Sequence, residues 1–117
     1  MNKRSLGTVK EDLAAKYLES RGLKIKERNF RNRYGEIDLI ATDGDFLVFV
    51  EVKYIKNASA GLPEEAVSFM KARTISKVAD YYRVVKKIPE DKKVRFDVVA
   101  IEGEQIRWHK DAFAYSV

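Results

Sequence analysis

The chain has 117 residues, 45% of them hydrophobic and 35% charged, which suits one domain burying roughly two-thirds of its unfolded surface. It has no cysteine and one histidine, which excludes disulfides, thiolate nucleophiles, cysteine-based zinc sites and a histidine-rich metal centre. The net charge of +5 and pI near 9.4 point to an acidic partner, nucleic acid first.

Residues 5–20 read as a helix. Leu6, Val9, Leu13 and Tyr17, with Ala14 and Leu18 beside them, recur at helical spacing, and Gly22 follows the last turn. Thr8 and Glu11 also fit a capping box, so the helix begins at Ser5 or Thr8. Glu11 lies at the margin of the apolar stripe, either closing that box or leaning over whatever the stripe packs on. Residues 23–30 form a mostly polar edge strand, and Arg31 and Arg33 lead into a turn at Tyr34 and Gly35.

In the next strand, residues 36–41, alternation places Glu36, Asp38 and Ile40 on one face and Ile37, Leu39 and Ala41 on the other. Asp43 and Gly44 signal a hairpin. Its second arm, residues 46–55, is an apolar run suited to burial on both faces until Glu51 and Lys53 appear two residues apart on one face. With Asp43 and Gly44 as the loop, Glu36 lies opposite Glu51, and Asp38 lies one diagonal step away. Like charges so placed destabilise a strand pair, and a divalent cation answers that more fully than one lysine.

A polar loop covers residues 56–61. A long helix follows between Pro63 and Lys87, starting at either Pro63 or Ser68, with Val67, Met70, Thr74, Ile75, Val78, Ala79, Tyr82 and Val85 as its buried stripe. Residues 94–101 form a strand and residues 105–109 a short one. Asp97 beside Arg95 reads as a local ion pair, His109 as an exposed strand residue, and Tyr17, Tyr82 and Trp108 as core. A helix between two strands implies a parallel pair joined by a crossover. The expected fold is therefore an α/β mixed sheet flanked by helices, in the order α-β-β-β-α-β-β. No apolar leader or membrane-length stretch is present, so the expectation is a cytoplasmic protein with no membrane partner.

Carboxylates without histidine or cysteine suit hard cations, Mg²⁺ or Mn²⁺. Such an ion on one or two carboxylates is a common arrangement for attacking phosphate esters. Lys53, on the same face, can position water or stabilise the charge that develops on phosphorus. The basic run Lys24, Lys26, Arg28, Arg31 and Arg33 adjoins the acidic strand and can track a nucleic-acid backbone, and Lys71 can add a phosphate contact.

Asp38, followed across a hairpin by Glu51, Val52 and Lys53, resembles the Asp…Glu-x-Lys signature of the restriction-endonuclease-like superfamily. More closely, the chain resembles the YraN family, an endonuclease-like group similar to archaeal Holliday-junction resolvases. The matching positions are Gly7, Glu11, Ala14, Tyr17, Leu18 and Asn29, then residues 35–40 and 48–53, Gly61, Pro63, residues 65–67, Lys71 and residues 95–98. The resemblance implies a restriction-endonuclease-like fold in which Asp38 and Glu51 bind the metal, helped by the Val52 carbonyl. It also implies Lys53 as the catalytic lysine and Glu11 approaching from the first helix. The family often carries arginine two residues beyond that lysine; here Ile55 stands there, followed by Lys56.

The expected function is a Mg²⁺- or Mn²⁺-dependent endonuclease acting on DNA rather than RNA, branched or otherwise structured. Cutting a junction needs two active sites, so a homodimer is expected. The alternatives are a nucleic-acid-binding module that keeps the nuclease fold without turnover, and a protein-interaction domain with neither activity.

Overall fold

In the computed structural model, which describes residues 6–56 and 63–117, the elements follow in the expected order. They are α1 (Leu6–Ser20), β1 (Lys24–Asn32), β2 (Gly35–Asp43), β3 (Phe46–Tyr54), α2 (Phe69–Val85), β4 (Lys93–Glu102) and β5 (Gln105–Phe113). They build a five-stranded sheet in which spatial order equals chain order. The pair β3 and β4, joined through α2, is parallel and the other pairs are antiparallel. Among the described residues no helix is long and apolar enough to cross a membrane.

The sheet is covered on both faces, which is why β3 and β4 are apolar on successive residues. On one face Ala14, Ala15 and Leu18 of α1 pack on Leu39, Ala41, Val48, Val50, Val99 and Ile101. On the other, Ile75, Val78, Ala79 and Tyr82 of α2 pack on Ile37, Ile40, Leu47, Phe49 and Phe96. Tyr82 meets Phe30 and Phe49 edge-on, with ring centroids at 5.2 and 5.8 Å. Each such ring contributes about 1.5–3 kcal/mol by burial.

Helix α1 is rotated from its expected stripe, whereas α2 buries Ile75, Val78, Ala79 and Tyr82 as expected. Val9 and Leu13 are 37% and 39% exposed, whereas Ala14 and Ala15 are fully buried. Two small side chains let α1 approach the sheet closely and turn its larger apolar residues outward. The helix already includes Thr8, so the capping box at Thr8 is not formed; Ser5 lies outside the described residues. Ser68 caps α2 by accepting from the Lys71 amide at 3.1 Å, and residues 63–67 stay non-helical. That start places Ala72 and Ser76 inside and leaves Met70 and Val85 out.

The hairpin loop is also shifted. Asp43 pairs with Phe46, so Gly44 and Asp45 are the loop residues, with Gly44 at a φ of +56° that glycine adopts freely. The slip is by two residues in register, so the paired residues from Leu39 to Asp43 keep their alternation, but Ile37 joins Ile40 on the α2 face, against the expected split. Strand β5 runs four residues beyond its expected end. Asp111, in the left-handed region at φ +53°, bulges it past His109.

Gly35 opens β2, the strand that carries Glu36 and Asp38. A Cβ there would stand 2.5 Å from Thr74 Cγ2 of α2. Thr74 is β-branched and stiff at χ1, so helix and strand must separate. Gly35→Ala is expected to lower the melting temperature clearly, and a Gly35→Ala/Thr74→Ser double variant to recover much of the loss.

Candidate functional site

The ladder between β2 and β3 ends at Leu39 and Val50. Beyond it, β2 remains paired with β1 and β3 with β4, so the sheet forks. The side-chain pattern marks the cause. Ile37 and Ile40 both enter the α2 core while Leu39 between them enters the α1 core. Strict alternation therefore breaks at Asp38. Across the strand pair, Asn29 adopts φ +52°, a conformation asparagine tolerates better than most residues. Both strands thus change course together.

Asp38 fills the fork. Its Oδ2 accepts from the Val52 amide at 2.8 Å, replacing a ladder bond. The Glu51 carboxyl stands beside it, and burial followed by this neighbour pushes the Asp38 pKa up to about 7. Glu11 reaches in from α1 beside Asn29 and Asp38, and burial with the Asp38 charge raises its pKa as well. Glu11, Glu36 and Asp38 present carboxylate oxygens within 4.8 Å of one another. Glu51 stands beside Asp38, so four acids from three elements converge on one cleft.

The expected companions are placed differently. Lys53 does not face the acids: its ammonium donates to the Glu64 carbonyl at 3.0 Å and to the Ala66 carbonyl. Lys71, read as a phosphate contact, lies 3.5 Å from Glu51 Oε2, and Arg31 lies 3.2 Å from Glu36. Glu36 is not opposite Glu51, because the strands have parted by that point. Arg28 pairs with Asp12 of α1. Two of the cations expected to meet nucleic acid therefore offset the acidic cluster itself.

Sequence reading missed what holds Lys53 in place. Glu64 receives Arg107 Nε at 2.8 and 3.0 Å and His109 Nε2 at 2.5 Å. These contacts, Arg107 first, pull its pKa down to about 2. His109 is thus a partner of Glu64 and not an unengaged strand residue. Alternation along β5 puts Arg107 and His109 on one face, but nothing local identifies residue 64 as their partner. Asn29 stood among the positions of the family resemblance, but nothing local gave it a role.

The residues present fit a hard divalent cation. Glu51 Oε2 is buried without a hydrogen-bond partner, its side chain is only 13% exposed, and the donors around it are carboxylate oxygens. That oxygen has Lys71 at 3.5 Å and no hydrogen bond, and an all-carboxylate donor set of this kind is what hard divalent cations take.

Comparison with known proteins adds a family. The model described as "Uncharacterised protein family UPF0102" matches residues 10–101. A UPF0102 protein of Lachnoclostridium phytofermentans is 49% identical over 113 residues, covering 97% of this chain and 96% of that one. The UPF0102 protein of Rhodococcus opacus is 48% identical over 93% of this chain and 96% of its own. That of Dictyoglomus turgidum is 43% identical over 92% and 94%.

Proposed function

The chain belongs to the UPF0102 family, and we propose that it is a metal-dependent endonuclease hydrolysing phosphodiester bonds of DNA, branched or otherwise structured. The observation that carries this reading is the buried Glu51 Oε2, without a hydrogen bond and with only Lys71 at 3.5 Å, beside Asp38 at the sheet fork. Asp38 and Glu51, with the Val52 carbonyl, would hold Mg²⁺ or Mn²⁺. When bound, the ion neutralises phosphate charge and lowers the pKa of a coordinated water.

The chain's own residues set up the rest. The Val52 amide fixes one Asp38 oxygen and leaves the other for Glu51. Glu11 and its Asn29 partner hold the far side of the cluster. Lys53 is the group that would stabilise negative charge on the reacting phosphate; to do so it must exchange the Glu64 and Ala66 carbonyls for phosphate oxygens. Cleavage of a branched substrate needs paired sites, so a homodimer is part of the proposal.

A second reading, a binding module without turnover, draws support from that same capture of Lys53. One incubation separates the two. Linear, nicked, flapped and four-way DNA are treated with the intact protein in Mn²⁺, alongside Glu51→Gln and Lys53→Ala. The nuclease reading expects cutting of a structured substrate and at least a hundredfold loss in each variant. Equal cutting by parent and variants contradicts it; retention of DNA without cutting favours the binding module.

A further inference from the structure

The rim of the acidic cleft carries a feature that the proposed chemistry does not use. Tyr54, at the end of β3, is 41% exposed and lines a cavity of about 240 Å³ together with Gly7, Lys10, Glu11, Asp38 and Glu51. Lys10 Nζ lies 4.5 Å from the centre of its ring and Lys56 Nζ 6.0 Å from it. Residues 7 and 11 share one face of α1, so the missing side chain at Gly7 leaves the helix surface bare above the acids.

The placement of these lysines is unusual. Lys10 lines the same cavity as three carboxylates, yet neither it nor Lys56 forms an ion pair among the described residues. Both ammoniums lie instead over an aromatic face, an arrangement worth about 0.5–1 kcal/mol at an exposed site. Two cations that have no ion-pair partner among the described residues, beside a partly exposed ring, match the recognition of single-stranded nucleic acid, in which bases stack on aromatic side chains and cations follow the backbone.

We infer that Lys10, Tyr54 and Lys56 form a ledge that seats an unpaired nucleotide beside the acidic cleft, the base on the Tyr54 ring and its phosphates on the two lysines. This deepens the proposed nuclease reading and rests on it, because it selects substrates with unpaired nucleotides next to the cut. A base inside a duplex has both faces stacked and cannot reach the ring.

The test is binding of a labelled single-stranded oligonucleotide and its duplex to the full chain, by fluorescence anisotropy in EDTA at several salt concentrations. The parent is expected to prefer the single strand. Tyr54→Leu should weaken single-strand binding roughly tenfold with little change for duplex, while Tyr54→Phe should bind like the parent. Lys10→Gln and Lys56→Gln should each reduce the salt slope by about 0.7. If the parent binds and Tyr54→Leu binds equally well, or loses both forms alike, the ledge is wrong and the nuclease reading stands. If the parent binds neither form, the ledge falls, and cleavage of branched DNA in Mn²⁺ decides the nuclease reading by itself.

Discussion

Asp97→Ala is expected to destabilise the protein by about 3–5 kcal/mol, the cost of breaking a buried ion pair from one side. Asp97 is fully buried on β4. It receives Arg95 Nε at 3.0 and 3.2 Å and Arg95 Nη2 at 3.1 Å. Trp108 Nε1 and the Asp111 amide donate to it at 2.9 Å each. Arg95 continues to Asp43 at 2.7 Å, at the end of β2. One carboxylate therefore ties β4 to the β5 bulge directly and to β2 through arginine. Alanine leaves an indole N–H and an amide N–H buried without their acceptor and the guanidinium with Asp43 alone. A loss of that size is a large share of the 5–15 kcal/mol that holds a domain folded. Urea unfolding followed by Trp108 fluorescence measures it. Asp97→Asn, which keeps an acceptor, should lose less; a change below about 1 kcal/mol for alanine would refute the network's role.

Asp38→Asn has the opposite expected effect on stability. A carboxyl raised to about 7 in the folded state and near 3.9 in the unfolded chain holds an extra proton when folded between those values. Its contribution is fully present below about pH 4 and is lost as pH rises through about 7. At pH 8 the parent thus carries an ionised carboxylate against Glu51 in a buried fork. Asparagine removes that charge while its side-chain oxygen can still accept from the Val52 amide. The variant should melt roughly 4–8 °C higher than the parent at pH 8, corresponding to about 1 kcal/mol. At pH 4–5 the two should melt nearly together. A parent that outlasts the variant at pH 8 would contradict the account of the fork. Stability gained where function is expected to vanish is the signature of a strained site.

The sequence showed some of this plainly. Period-two alternation placed Asp38 and Glu51 on a common side; in the structure alternation breaks at Asp38, and the two acids meet across the fork instead. The order of elements followed from Gly44, Ser68 and the apolar runs. What stayed hidden was non-local. Val9 and Leu13 resemble core at helical spacing, yet Ala14 and Ala15 win the interface by allowing closer approach. Lys53 turns to carbonyls eleven and thirteen residues away, held there through Glu64, Arg107 and His109. The fork itself depends on Asn29 and Asp38 breaking regularity on adjacent strands, a pairing visible only after folding.

The most direct measurement is a calorimetric titration of the metal-free protein with Mn²⁺ at pH 8 and pH 6. The account predicts saturable binding that is tighter at pH 8 and releases protons at pH 6, where Asp38 must ionise to become a ligand, with binding lost in Glu51→Gln. Equal binding by parent and Glu51→Gln, or no binding by the parent at either pH, would contradict it.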